Sequence, residues 1–267
     1  MRNLLVHLDS SPQTVNRLEL AANLAKRLDA RVVGVFAQTA KVHAGVVAAW
    51  PPEDYARDSK AAADALKAAV GNSEFMDLNR GTEAEILTQA VDLARHFDLV
   101  VCGQPLAESS PSPADLIERI VVDSGRPVLA VPYAGKFAET GKRPLFAWSN
   151  SREAARALAD GIRLAHPGAE AAVVTISKPN AADLDYNKTS LDLAAAHLAA
   201  HGVKAKPDQT IASDIGLMDA LLNQAADHAA DLLVLGAFGG QGYPRFSRGS
   251  GSRFMLKHMT VPVLFSH

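Results

Sequence analysis

DLLVLG, residues 231–236, is echoed by DLVVCG at residues 98–103. Each is an acidic residue, four apolar positions and a glycine, the pattern of a short buried strand that ends in a loop. The echo has an offset of 133 residues, 231 less 98. A second echo, Pro127-Val128-Leu129 against Pro262-Val263-Leu264, has an offset of 135, 262 less 127. A near-constant offset of domain size indicates two copies of one domain.

The rest of the chain fits that repeat. In the first copy NLLVHL, RVVGVFA, EFMDLNR, DLVVCG and PVLAVP read as strands. Helical patterns alternate with them, starting with SPQTVNRLELAANLAKRLDA. There Ser11 is the expected N-cap and Pro12 the first helical position. Val15, Leu18, Ala22, Ala25 and Leu28 form the expected inward face. In the second copy PLFAWS, AAVVTIS, VKAKPDQTI, DLLVLG and PVLFS read as strands, again with helices between. The polar seam YAGKFAETGKR, residues 133–143, separates domain one, residues 1–135, from domain two, residues 143–267. Strands alternating with helices imply parallel sheets covered on both faces. The fold class is therefore α/β: two tandem, doubly wound, five-stranded parallel-sheet domains, each an α/β/α sandwich. With strand order 3-2-1-4-5, the ligand crevice lies between the first and fourth strands of each copy, at their carboxyl ends.

Composition narrows the function. A net charge of −2 leaves no basic excess for nucleic acid. The apolar run in MRNLLVHLDSS is too short for a signal peptide, and no stretch approaches the roughly 20 apolar residues of a membrane span. Cys102 is the single cysteine, which rules out an internal disulfide. A cytoplasmic location is the expectation, with neither nucleic acid nor membrane as partner.

The loop after the fourth strand of copy two is GAFGGQGYPRFSRGSGS, residues 236–252. Its glycines fall in the spacing Gly236-x2-Gly239-x9-Gly249-Ser250. Glycine lets backbone approach a ligand closely, and clustered N–H groups form an anion site. The helix expected after Ser250 adds its own unpaired N–H groups. Arg245 and Arg248 supply charge nearby. The competing reading is a bare surface loop; its position between a buried strand and a helix start, at the switch point, argues for the site.

This spacing, set between DLLVLG and VPVL, resembles the nucleotide-binding loop of universal stress proteins. LLVHLDSS and AWSNSREAARAL resemble the family's opening strand and turn in the two copies. The chain thus looks like a tandem member with the adenine nucleotide alpha hydrolase-like fold. The resemblance implies ATP or a related adenine nucleotide, with Mg²⁺ as an optional companion. It places Gly236, Gly239, Gly249 and Ser250 on the phosphates and ribose, and the main chain of Ile176 on the adenine. The family's first strand usually ends in an aspartate at the base end of the nucleotide. Copy one has Asp9 there; copy two has Ser149, whose hydroxyl cannot accept as a carboxylate does. In copy one Val35 is matched to the adenine contact and Gly103 to the first glycine, but the loop QPLAESSPSPADLIERI lacks the other glycines. Its prolines remove donors and Glu108 and Asp115 add negative charge, so a phosphate is repelled. Ser112, Pro113 and Asp115 read there as a helix start.

Other constellations are weaker. His197 and His201 share a helix face, but two ligands do not make a zinc site. His7, Asp9, Ser10 and Ser11 suggest a hydrolytic triad without the geometry of one. Cys102 reads as a buried structural thiol. Trp50 and Trp148 read as core or interface residues. No catalytic residue is assigned: Tyr243, Arg245, Arg248 and hydroxyls offer no base near a γ-phosphate. The expected function is a nucleotide-dependent binding module in the stress response, against two rivals, a slow ATPase on the same loop and a scaffold without ligand. Pro127 and Pro262 each open a last strand, and proline there suits a sheet edge. The two copies are therefore expected to join as an intramolecular pseudo-dimer. A homodimer of the whole chain is compatible with the pattern, and no residue names a protein partner.

Overall fold

The computed structural model describes residues 1–39, 53–78, 82–105, 112–179, 184–239 and 249–267. The chain divides into two compact units, Met1–Ala138 and Glu139–His267.

Unit 1 runs β1 Asn3–Leu8, α1 Thr14–Leu28, β2 Arg31–Phe36, α2 Glu53–Val70, β3 Glu74–Asp77, α3 Glu83–Ala94, β4 Leu99–Gly103, α4 Leu116–Ser124 and β5 Val128–Val131. Its strands are parallel in the order β3-β2-β1-β4-β5. Unit 2 runs β6 Pro144–Ala147, α5 Arg152–Ile162, β7 Glu170–Ser177, α6 Leu184–Ala200, β8 Lys204–Ile211, α7 Leu217–Asp227, β9 Leu232–Gly236, α8 Ser250–His258 and β10 Val263–Ser266. Its parallel order is β8-β7-β6-β9-β10. Both are the expected doubly wound sheet, with the first and fourth strands side by side.

The central strands are buried along nearly their whole length. Leu4, Val6, Leu99, Val100 and Val101 in unit 1, and Leu145, Leu232, Leu233 and Val263 in unit 2, are at most 1% exposed. That requires cover on both faces and explains why these strands read as unbroken apolar runs rather than as alternating ones.

The aspartates that open the repeated strands have a local task. Asp98 Oδ2 accepts the backbone N–H of Arg2 at 2.6 Å and of Asn3 at 3.1 Å. Asp231 accepts those of Gly141, Lys142 and Arg143 at 3.1, 2.8 and 2.9 Å. Each carboxylate thus ties the entry of the first strand to the start of the fourth. Thr140 joins the same group through its hydroxyl on the Asp231 carbonyl, 2.7 Å.

Two helix starts differ from expectation. α1 begins at Thr14, with Gln13 at the cap position and no side-chain cap. α4 begins at Leu116 and likewise has no side-chain cap. Ser11 and Ser112 instead lie outside the helices, and both donate their hydroxyls to Asp9, at 2.5 and 3.0 Å. The inward face of α1 also differs: Thr14, Arg17, Leu18, Ala21, Leu24 and Ala25 are buried, while Val15 is 65% exposed.

Candidate functional site

In unit 2 the carboxyl ends of β6 and β9 open onto a cavity of about 970 Å³. Ser149, Gly236, Gly239, Gly249 and Ser250 all line it. Three helices begin on it: α5 after its cap Ser151, α7 after Gly216 and α8 after Gly249. Helical geometry leaves the N–H groups of Ser250, Gly251 and Ser252 without intrahelical acceptors, and the aligned peptide dipoles make each such end attractive to an anion. Arg152 and Lys178 add cations to the wall, Glu153 and Asp219 carboxylates, and Ile215, Met218 and Phe254 apolar surface.

The glycines of the spaced motif have reasons inside the fold. A Cβ on Gly236 would lie 2.5 Å from Ala154 N, so β9 and α5 approach too closely for any side chain. A Cβ on Gly239 would lie 2.5 Å from Glu153 Cδ and 2.8 Å from its Oε2. Gly249 has φ +77°, the left-handed region that only glycine enters freely. Its missing side chain makes room for Phe238, whose N–H donates to Ser252 Oγ at 2.9 Å. Phe238 packs in turn against Phe265, ring centres 6.4 Å apart.

Ile176 stands apart. It pairs with Thr210 across β7–β8 and is not among the residues lining the cavity. The main-chain side on which it could meet a ligand is nonetheless fixed. The Val174 carbonyl accepts Trp148 N–H at 2.8 Å, and alternation turns the Ile176 main chain to the same side, past the end of β6. Ser149 is exposed and its hydroxyl lies 3.2 Å from that of Ser151. Ser151 accepts the N–H of Ala154 as cap of α5.

The same crevice in unit 1 is filled. Arg17, on the inward face of α1, is 1% exposed and lies under Gly103, where a Cβ would meet its guanidinium carbon at 3.1 Å. Its Nη2 donates to Asp9 Oδ1 and to Thr14 Oγ1, both at 2.9 Å, and its Nη1 lies 2.9 Å from His7 Nδ1. Asp9 also accepts Ser11 N–H and the hydroxyls of Ser11, Thr14 and Ser112. Burial alone would raise the Asp9 pKa. The charges of Arg17 and His7 and the hydrogen bonds of Ser11 and Thr14 outweigh it and hold the carboxyl well below the usual carboxylate range. Burial, then the Arg17 charge, lowers His7 to about 4.

The suspected triad is wired the wrong way. A serine, a histidine and an aspartate do gather, with Ser112 Oγ 3.4 Å from His7 Nε2. But Nδ1 faces the Arg17 donor and Nε2 faces the Ala37 carbonyl at 2.9 Å. Those partners put the proton on Nε2, which then has no lone pair for a hydroxyl. A triad needs the carboxylate behind Nδ1 and a bare Nε2.

Strand pairing corrects one assignment. Val6 pairs with Val101 and Phe146 with Val234, which makes Val6 and Phe146 equivalent. His7 pairs with Val35, and Ala147 with Val174. Val35 is therefore the counterpart of Val174, and Ala37, not Val35, that of Ile176. A slip of two residues leaves every side chain on its own face, so the apolar pattern cannot detect it. At Ala37 the main chain is engaged internally: its carbonyl faces His7, and its N–H donates to Leu8 O at 3.2 Å.

Cys102 is 1% exposed, and burial pushes its thiol up to about 12. His197 and His201 lie 4.7 Å apart on the exposed side of α6, and no group of three or more potential metal ligands occurs among the described residues. Trp148 is half-buried and donates Nε1–H to Ser190 Oγ at 2.9 Å. Trp50, Glu108, Tyr243, Arg245 and Arg248 lie outside the described residues.

Reasoning from the sequence missed Arg17 and Glu153. A signal for Arg17 existed: it falls on the stripe with Leu18, Ala21 and Leu24, an arginine among apolar neighbours at helical spacing. Glu153 reads as an ordinary first-turn acid, and no spacing marks it.

Fold and site define a class: a tandem doubly wound α/β protein with an open switch-point crevice in unit 2 and, among the described residues, an arginine–aspartate pair at that of unit 1. The model of the Universal stress protein family matches residues 142–267. That stretch, the second unit of the chain, is thus similar to the universal stress protein family. Its fold is similar along the whole length to a universal stress protein from Archaeoglobus fulgidus DSM 4304, at 16% identity and TM-score 0.72, covering 99% of this chain and 95% of that one. A second, from Pseudomonas aeruginosa UCBPP-PA14, is 14% identical with TM-score 0.61, covering 100% and 93%. No curated protein matches. No helix among the described residues is long and apolar enough to cross a membrane.

Proposed function

We propose that unit 2 binds one adenine nucleotide, and that the protein acts in the cytoplasm as a nucleotide-dependent binding module of the stress response. One observation carries this reading: Ser149, Gly236, Gly239, Gly249 and Ser250, spread over a hundred positions of sequence, line one cavity at the switch point. The phosphates lie against the first turn of α8 and the Ser250 hydroxyl, with Arg152 and Lys178 within reach of their charge. The base lies toward Ser149 and the main chain of Ile176. Mg²⁺ enters only as a companion of the phosphates. The aspartate expected at the base end is in unit 1, where Arg17 consumes it.

The test is calorimetric titration of the full chain with ATP and AMP. One site per chain is expected, since among the described residues Arg17 and Asp9 occupy the switch point of unit 1. Gly249→Arg should remove binding while costing about 1–2 kcal/mol of stability through its left-handed backbone. Equal affinity in parent and variant refutes the site. Saturable release of phosphate from ATP with Mg²⁺ would replace the binding module by an ATPase.

A further inference from the structure

Glu153 is one of two carboxylates, with Asp219, in the wall of the cavity that a phosphate site does not call for. It stands in the first turn of α5 and is 9% exposed. An acid there suits the helix end electrostatically, but nothing in that role requires the carboxylate to be covered. Its carboxyl group reaches across the crevice and occupies the space in front of Gly239. The glycine that the motif reserves for backbone approach to a ligand is here the place where a protein carboxylate fits. Its only ion pair among the described residues is with Arg152, 3.3 Å away, whose side chain is 72% exposed. Arg152 also reaches the ring of His267 at 3.3 Å, so its charge is shared and largely solvated. Among the described residues, the negative charge of Glu153 is therefore only weakly compensated where phosphate oxygens would have to pass.

We infer that Glu153 sets the ligand preference of the cavity by charge: without a divalent cation, it disfavours each phosphate beyond the first, so the site takes a nucleoside monophosphate in preference to a triphosphate. This rests on the reading that unit 2 binds an adenine nucleotide. The physical basis is like-charge repulsion at short range in a partly desolvated crevice, where Coulomb terms exceed their value in bulk water. The first phosphate is served by the first turn of α8. Later phosphates add charge beside Glu153.

The experiment is a titration series of adenosine, AMP, ADP and ATP against the full chain and against Glu153→Gln, in EDTA so that no metal bridges carboxylate and phosphate. Glu153→Ala serves as a second variant, and a melting curve accompanies each. In the parent, affinity should not rise from AMP to ATP. In Glu153→Gln the ratio of ATP to AMP affinity should rise about tenfold, the scale of one removed like-charge contact, with AMP affinity changed less. A ratio within about twofold of the parent's in both variants, with AMP still bound, overturns the role of Glu153 and leaves nucleotide binding standing. No saturable binding of any of the four ligands by parent or variants overturns both.

Discussion

The two switch-point crevices of this protein share strand order, helix placement and the glycine that ends the fourth strand, yet one is open and the other plugged. In unit 2 three helix ends and a glycine-lined wall surround a cavity of about 970 Å³. In unit 1 the equivalent place holds Arg17, Asp9, His7, Thr14 and Ser112, each bonded to another member of the group. The difference turns on a few side chains. At the position of Arg17 unit 2 has Ala157, and at that of Asp9 it has Ser149. An arginine and an aspartate that neutralise each other close a site as effectively as a loop would, and a fold alone does not say which state a crevice is in.

The largest expected effect breaks the closed side. Arg17→Ala strands a buried carboxylate and should cost about 3–5 kcal/mol in urea denaturation, with the nucleotide affinity of unit 2 unchanged. Asp9→Asn combined with Arg17→Met should cost less than the sum of the single changes, because no charge is then left unpaired. A small effect of Arg17→Ala would mean that the plug is ornamental.

Next in size is the open side. Gly236→Ala drives a methyl into the backbone of α5 and should cost about 1–3 kcal/mol, as overpacking does. Gly103→Ala faces only the guanidinium of Arg17, a side chain that can shift, and should cost less. Thermal melts of the two variants compare the fourth strands directly.

Acidity comes third. His7 titrates near 6.5 in the unfolded chain and at about 4 in the folded one. The unfolded state therefore takes up a proton first, and the contribution of His7 to stability is lost as pH falls from about 6.5 to about 4. The loss is at most about 1.4 kcal/mol per pH unit. Asp9, lowered as well, continues the trend in stronger acid. Denaturation at a series of pH values should show this slope in the parent and a flatter one in His7→Gln.

The smallest effect tests whether the two sites can be brought together. Ser149→Asp gives unit 2 the carboxylate of unit 1 without its arginine, and should raise affinity for AMP a few-fold, under about 1 kcal/mol. Calorimetry reads it, and weaker binding would mean that Glu153 already supplies all the negative charge this cavity tolerates.

Most of the architecture was legible because it rests on local rules. The repeat, the order of elements and the loop after residue 236 follow from apolar runs, glycines and offset. The inner side of α1 was misjudged because Val15 and Arg17 are two positions apart on a helix, and a buried ion pair overrode hydrophobicity in choosing between them. Ser11 and Ser112 were misjudged because a hydroxyl near a helix start can cap or can turn to a carboxylate, and the carboxylate belongs to another segment. Val35 took the place of Ala37 because pairing register is a relation between strands.

By itself the amino-acid order determined two doubly wound sheets, the crevice each offers and the glycine spacing that follows β9. These follow from the periodicity of apolar residues and the backbone freedom of glycine, both short-range properties. Only the tertiary structure decided which crevice is open, and that a carboxylate from α5 faces Gly239. Burial and charge pairing depend on residues that chain order leaves far apart, and a guanidinium is a plug or a solvated cation according to whether Asp9 and His7 stand within 3 Å of it.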